Sequence, residues 1–228
     1  MHLLIGTGGW DYYESTGDKL AAYARLFNFV EVNSTFYSNP KLDIVRSWRR
    51  RVPAEFEFSV KCSKIITHKN MLSSTPESLY EAEYTVRVCQ ILQSKMVIMQ
   101  TPPSLRITCE RIYSFRHLLN FFEDNGITVV LHSKSKIESD ALKMIHDLGM
   151  VPAVDLTKEE PYYSSEIVYT RLFGNSYAHA NGFSDKEYLL IEKKLNSAKP
   201  KVAYMAFHGI QMYSDALQFK EHLSLKDL

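Results

Sequence analysis

Eight short apolar runs, each followed by a longer stretch of helical spacing or a polar loop, set the tightest limit on what this chain can fold into. Strands are expected at Leu3–Gly6, Phe29–Asn33, Phe56–Lys61, Met96–Gln100, Ile127–His132, Val151–Asp155, Ile167–Leu172 and Val202–His208. Between them lie amphipathic stretches with recognisable ends. Asp18 precedes "KLAAYARLF" as an N-cap, and Thr75–Pro76 opens "TPESLYEAEYTVRVCQILQ" with a cap and a proline at the first helical position. Pro53 stops "LDIVRSWRRR", while Gly126 and Gly149 end the helices before them. Ser184 caps "SDKEYLLIEKKLNSA", and "TKEEPYYS" has room for a turn or two of helix.

Strands alternating with helices argue for an α/β fold with a parallel sheet. Eight such units in 228 residues fit a compact, single-domain TIM (β/α)8 barrel covering residues 1–228, near the short end of that fold's usual size. An open doubly wound sheet is the alternative. "GTGGW" after the first strand lacks the GxGxxG spacing of a dinucleotide site and reads as a tight turn.

Charge and composition exclude several classes. The net charge of +1 gives no overall basic field to recruit nucleic acid. Hydrophobic residues at 45% and charged residues at 23% are globular values. The N-terminal apolar run is too short for a signal peptide, and no stretch approaches the roughly 20 apolar residues of a membrane helix. A cytoplasmic location is expected. Cys62, Cys89 and Cys109 form no CxxC pair and read as small buried hydrophobes, not as a disulfide or zinc framework.

In a parallel barrel the active site lies at the C-terminal ends of the strands, and alternate residues of each strand face opposite ways. In the second strand, Phe29, Glu31 and Asn33 share the inward face, and Val30 and Val32 pack on the helices. In the third, Glu57, Ser59 and Lys61 face inward. Further strands end at Gln100, His132, Asp155, Arg171 and His208, and Thr7 and Trp10 follow the first. Converging buried charges need pairing or a ligand. Glu31 and Lys61, on adjacent strands, are expected to pair. Arg171 offers a fork for a carboxylate or phosphate.

These residues define an expected site. Glu31, Lys61 and His68 are the candidates for catalysis. Thr7, Trp10, Asn33, Tyr37, Gln100, His132, Asp155, Arg171 and His208 are the candidates for ligand contact. Histidines 68, 132, 179 and 208 fall on the functional face, whereas His2, His117, His146 and His222 are expected at the surface. No metal is assigned, although His132, Asp155, His208 and Glu31 would be the set to hold one. "RSWRRR" reads as a solvated helix end or a phosphate patch. Loop aromatics, among them Tyr12, Tyr13, Phe36, Tyr37, Tyr162, Tyr163 and Tyr177, either cap the core or stack on a base or sugar.

The blocks "IGTGGW", "FNFVEVNSTFY", "FEFSVK" followed by "ITH", "QTPPS" and "YTRLFG" resemble the YecE-like family, domain-of-unknown-function family 72, in the same order along nearly the whole chain. The resemblance implies a TIM barrel and supplies no established activity. By position it marks Gly6, Thr7, Trp10, Glu31, Asn33, Ser34, Thr35, Phe36, Tyr37, Lys61, Thr67, His68, Gln100, Pro102, Pro103 and Arg171. The chain departs from the family pattern later on. "VVLHSKSK" stands where a Glu-Phe-Arg-His-like block is usual, "RLFG" carries Phe173 in place of a histidine, and "FHGIQMYSDAL" replaces a Phe-Asn-Asn-like block.

The function that follows is binding of, or catalysis on, a small anionic or phosphorylated ligand at the C-terminal face. The alternatives are nucleic-acid binding or metal-assisted phosphoester processing, and a non-catalytic binding module. No cofactor and no oligomeric state follow from the sequence.

Overall fold

Eight strands form at the expected places in the computed structural model, which describes residues 1–174 and 182–224. They are β1 (His2–Thr7), β2 (Phe29–Val32), β3 (Glu57–Lys61), β4 (Met96–Gln100), β5 (Thr128–His132), β6 (Val151–Pro152), β7 (Ile167–Leu172) and β8 (Val202–Phe207). Seven α-helices lie between and after them: α1 (Lys19–Tyr23), α2 (Leu42–Arg50), α3 (Pro76–Leu92), α4 (Cys109–Glu123), α5 (Ser139–Asp147), α6 (Asp185–Ala198) and α7 (Met212–Ser224).

The strand order is β6-β5-β4-β3-β2-β1-β8-β7. The β1–β8, β7–β8, β4–β5 and β5–β6 ladders are all parallel. Just past β6, Val154 makes a parallel bridge to Thr170 of β7, with hydrogen bonds from Val154 N to Tyr169 O and from Arg171 N to Val154 O. This order, with the bridge joining its two ends, is that of a (β/α)8 barrel and not of an open doubly wound sheet.

The chain packs as two compact units. One comprises Met1–Glu31, Val52–Glu57 and Ala153–Leu228; the other comprises Val32–Arg51 and Phe58–Pro152.

In the first unit, β1, β7 and β8 lie side by side, and β2 pairs Gly6 with Phe29. Gly6 is obligatory there, since a Cβ would stand 1.8 Å from Phe29 O. The Tyr23 hydroxyl fastens the same point. It accepts from Thr7 N at 2.8 Å and donates to Phe29 O at 2.8 Å. Burial pushes its phenol pKa well above the ordinary range. Helix α1 begins as expected, with the Asp18 carboxylate accepting from the Leu20 and Ala21 amides. It is shorter than the apolar spacing predicts, because Leu26 N and Phe27 N both turn back to Tyr23 O.

In the second unit, α3 starts on the predicted cap, Thr75 accepting from Ser78 N at 3.1 Å. Two short turns were not signalled: a 3-10 turn at Ser34–Phe36 and a π-turn at Ile65–Lys69. Two arginines of the run after β2 are engaged locally. Arg49 lies 5.5 Å from the Phe58 ring and donates to Leu92 O, and Arg51 Nε donates to Ser47 O. Cys62 and Cys89 are buried as expected, and burial holds the Cys89 thiol up at about 12. Cys109 departs from the expectation, since the first residue of α4 is exposed.

Replacing Gly6 by alanine is expected to destabilise the protein by about 3 kcal/mol or more in urea denaturation, through the clash with Phe29 O. Gly17→Ala, where nothing lies within 4 Å, is the control and is expected to stay within about 0.5 kcal/mol.

Candidate functional site

Period-two alternation on three strands of the first unit builds one buried cluster. Strand β2 contributes Phe29 and Glu31, β7 contributes Tyr169 and Arg171, and β8 contributes Tyr204, with His208 just beyond its end. Below lie the rings: Tyr169 stacks on Tyr204 at 5.7 Å, and Phe29 meets both edge-on. Burial, with Glu57 nearby, pushes the Tyr204 phenol up to about 12.

Above the rings sits a fully buried carboxylate. Arg171 Nε donates to Glu31 Oε2 at 3.0 Å and Nη2 to Oε1 at 2.8 Å. The Tyr169 hydroxyl adds a bond to Oε2 at 3.0 Å, and His208 Nε2 lies 3.7 Å from Oε1. Arg171 is 2% exposed and Glu31 0%, so water screens this pair little. Two-point geometry and a third donor are what a buried ion pair needs to offset desolvation. The fork expected to hold a ligand anion is thus directed at Glu31. The carboxylate expected to pair with the Lys61 ammonium has Arg171 as its two-point partner. Both groups are placed to hold the interior together.

Two of the three altered sequence blocks meet here. Phe173 stacks on His208 with ring centroids 4.6 Å apart and planes 17° from parallel, and it lies 5.3 Å from the Arg171 guanidinium carbon. Asp155 sets the position of Phe173. Its Oδ2 accepts from Phe173 N at 3.2 Å, and its Oδ1 accepts from the Thr157 amide and hydroxyl. Thr7, another expected ligand residue, is wholly buried and donates to Gly9 O at 2.7 Å. Trp10 is also buried.

The second unit gathers Asn33, Tyr37, Lys61, His68, Gln100 and His132. The segment following Asn33 organises their cationic members. Thr35 Oγ1 donates to Lys61 O at 2.7 Å, which fixes the end of β3. The Lys61 ammonium lies 4.3 Å from the centroid of Phe36, and His68 meets the same ring edge-on at 5.1 Å. Thr67 Oγ1 contacts His68 Nδ1 at 2.9 Å. Lys64 lies over the exposed Tyr37. Burial, then Lys61, then Lys134 hold the His68 pKa below its ordinary 6.5. Gln100 and His132 stand opposite each other at the ends of β4 and β5.

Among the described residues, no group of three or more His, Cys, Asp or Glu side chains is placed to hold a metal ion. The set of His132, Asp155, His208 and Glu31 is therefore not assembled as a metal centre. His179 and Tyr177 lie outside the described residues. His222, expected at the surface, is largely buried, with Nε2 3.0 Å from Glu192 Oε2. Sequence reasoning missed Tyr23, Tyr169, Lys134 and the place of Phe173. Of these, Tyr169 was findable, as it is two residues before Arg171 on the same face of one strand.

The fold and the converging strand ends define a (β/α)8-barrel protein with a polar C-terminal face. The chain belongs to the family described as "Protein of unknown function DUF72", which matches residues 4–227. The UPF0759 protein YecE of Escherichia coli K12 is 42% identical over 53 residues, a stretch covering 23% of this chain and only 20% of that relative. A DUF72 family protein from Enterococcus faecalis V583 superposes with a TM-score of 0.78 at 17% identity, over 98% of both chains. Another from Thermotoga maritima MSB8 gives 0.74 at 19%, over 98% of this chain and 100% of that one. A xylose isomerase domain containing protein from Salmonella typhimurium LT2 gives 0.61 at 16%, over 92% and 93%. Among the described residues, no helix is long and apolar enough to cross a membrane.

Removing one partner of the buried fork leaves the other charge stranded. Arg171→Met is expected to destabilise by about 3–5 kcal/mol in urea denaturation, and Glu31→Met/Arg171→Met to recover much of that loss.

Proposed function

We propose that the protein binds a small anion, a phosphorylated or carboxylate-bearing metabolite, at the cluster of Lys61, His68 and Lys134. One observation carries this reading: the Lys61 ammonium and the His68 imidazole share the Phe36 ring, and burial, then the Lys61 and Lys134 charges, hold the His68 pKa down. Like charges gathered at a strand end favour an anion from solution. Lys61 is the most buried of these cations, at 7% exposure, and Phe36 and Thr35 hold its stem and backbone. Lys61 supplies the point charge. Asn33, just past β2, and Gln100, at the end of β4, on the two strands that follow and precede β3 in the sheet, are assigned to orient the ligand.

His68 is the group for proton transfer. Its lowered pKa leaves the imidazole neutral at pH 7, the form that takes up a proton. Glu31, named with it on sequence grounds, is assigned to positioning, because its two oxygens are engaged by Arg171 and Tyr169. Arg171 takes the same supporting role.

The test is calorimetric titration with inorganic phosphate at constant ionic strength. Lys61→Ala is expected to weaken binding about tenfold or more. The sign of the pH dependence follows from His68. In the free protein the two lysines oppose its protonation, and a bound anion offsets them. With sulfate, which keeps its charge over this range while phosphate itself takes up a proton, binding should therefore tighten as pH falls from 7 toward 5, with proton uptake by the protein, and His68→Asn should flatten that profile. Unchanged phosphate affinity in Lys61→Ala would show that the anion site is misplaced.

A further inference from the structure

A cavity of about 680 Å³ lies wholly within the first unit, between the loop after β1 and the start of α7. None of the residues assigned above to the anion site lines it, so it stands or falls independently of that reading. Its size is that of a small-molecule site, and its position on strand-to-helix loops is where barrel ligands bind. Tyr12, Tyr13 and Tyr213 line it, with Met212, Glu14 and Gln211.

The aromatic wall is braced. Tyr13 and Tyr213 meet edge-to-face at 5.3 Å, and the buried Tyr23 stands behind both, 6.0 Å from one and 6.2 Å from the other. Three mutually perpendicular rings hold their planes at low entropic cost when a ligand arrives. Burial, with Asp11 nearby, pushes the Tyr213 phenol up to about 12, so it remains a protonated, uncharged surface. Tyr12 is 84% exposed, an open aromatic face.

Charge selects the occupant. An anion would face the Glu14 carboxylate, and among the described residues no lysine, arginine or histidine lines the cavity to balance it. An organic cation would be drawn to Glu14 and the ring faces but would face the positive end of the 13-residue helix α7, whose first residues, Met212 and Tyr213, form part of the wall. An uncharged ligand meets neither objection. Glu14 offers only acceptors, the helix start and the phenols offer donors, and the rings offer flat apolar faces. A saccharide ring has that complementary profile, with apolar C–H faces above and below and a rim of hydroxyls that both donate and accept. We infer that this cavity is a binding site for a neutral saccharide, stacked on the tyrosines and hydrogen-bonded at its rim by Glu14 and Gln211.

The experiment is saturation-transfer NMR on the whole protein with methyl β-D-glucoside, methyl β-D-xyloside and methyl α-D-mannoside as probes. Tetramethylammonium, inorganic phosphate and adenosine serve as the cationic, anionic and planar comparators. Saturable binding of at least one glycoside is expected, weakened about fivefold or more by Tyr12→Ala and by Glu14→Gln. Both side chains are solvent-exposed, so these variants are expected to keep the wild-type melting temperature. The inference is overturned if none of the three glycosides binds, if glycoside binding is the same in both variants, or if a comparator is the one whose binding Tyr12→Ala and Glu14→Gln remove.

Discussion

The pairing of Glu31 with Arg171 is the interaction on which the first unit depends. Its two bonds join residues 140 positions apart in the chain, on β2 and β7. Neither charge is tolerable in an apolar interior alone, so each makes the other's strand a requirement. Tyr169 adds its hydroxyl to the same carboxylate and its ring to the stack on Tyr204, linking the polar layer to the aromatic layer beneath. The carboxylate is thereby committed to structure.

The second unit sets an aromatic ring beside its cations. Phe36 presents its face to the Lys61 ammonium and lies against the His68 ring. A phenyl ring attracts a cation without neutralising it. The ring therefore holds both side chains in place. Thr35, one residue earlier, anchors the turn to Lys61 O. The block "NSTFY" is thus a scaffold for neighbouring cations as well as part of the second strand's ending.

Much of this was legible in the sequence because strands impose a period of two. Alternation placed Glu31 and Phe29 on one face, and Lys61 and Gln100 at the ends of β3 and β4. The partner of Glu31 was not legible. Sequence order suggests the adjacent strand and hence Lys61, whereas the two-point partner comes from β7, a matter of side-chain reach across the sheet interior. Tyr23 was hidden for another reason: a tyrosine on the apolar face of a helix reads as packing, and only coordinates reveal that its hydroxyl serves Thr7 and Phe29. The π-turn that places His68 has no propensity signal of its own. Phe173 and His208 looked like separate departures from the family pattern. Their rings are in fact stacked, so the two departures form one local arrangement.

The bridge at Val154 has a dynamic consequence. Strand β6 is only two residues long, and the join to β7 runs through the hydrogen bonds on either side of Val154. One of those bonds is donated by the backbone of Arg171 itself. A short ladder is where a sheet breathes first, because few bonds must open together. Breathing at this seam frees the main chain that aims the guanidinium, so amide exchange at Arg171 reports on the Val154 bridge and on the buried fork at once.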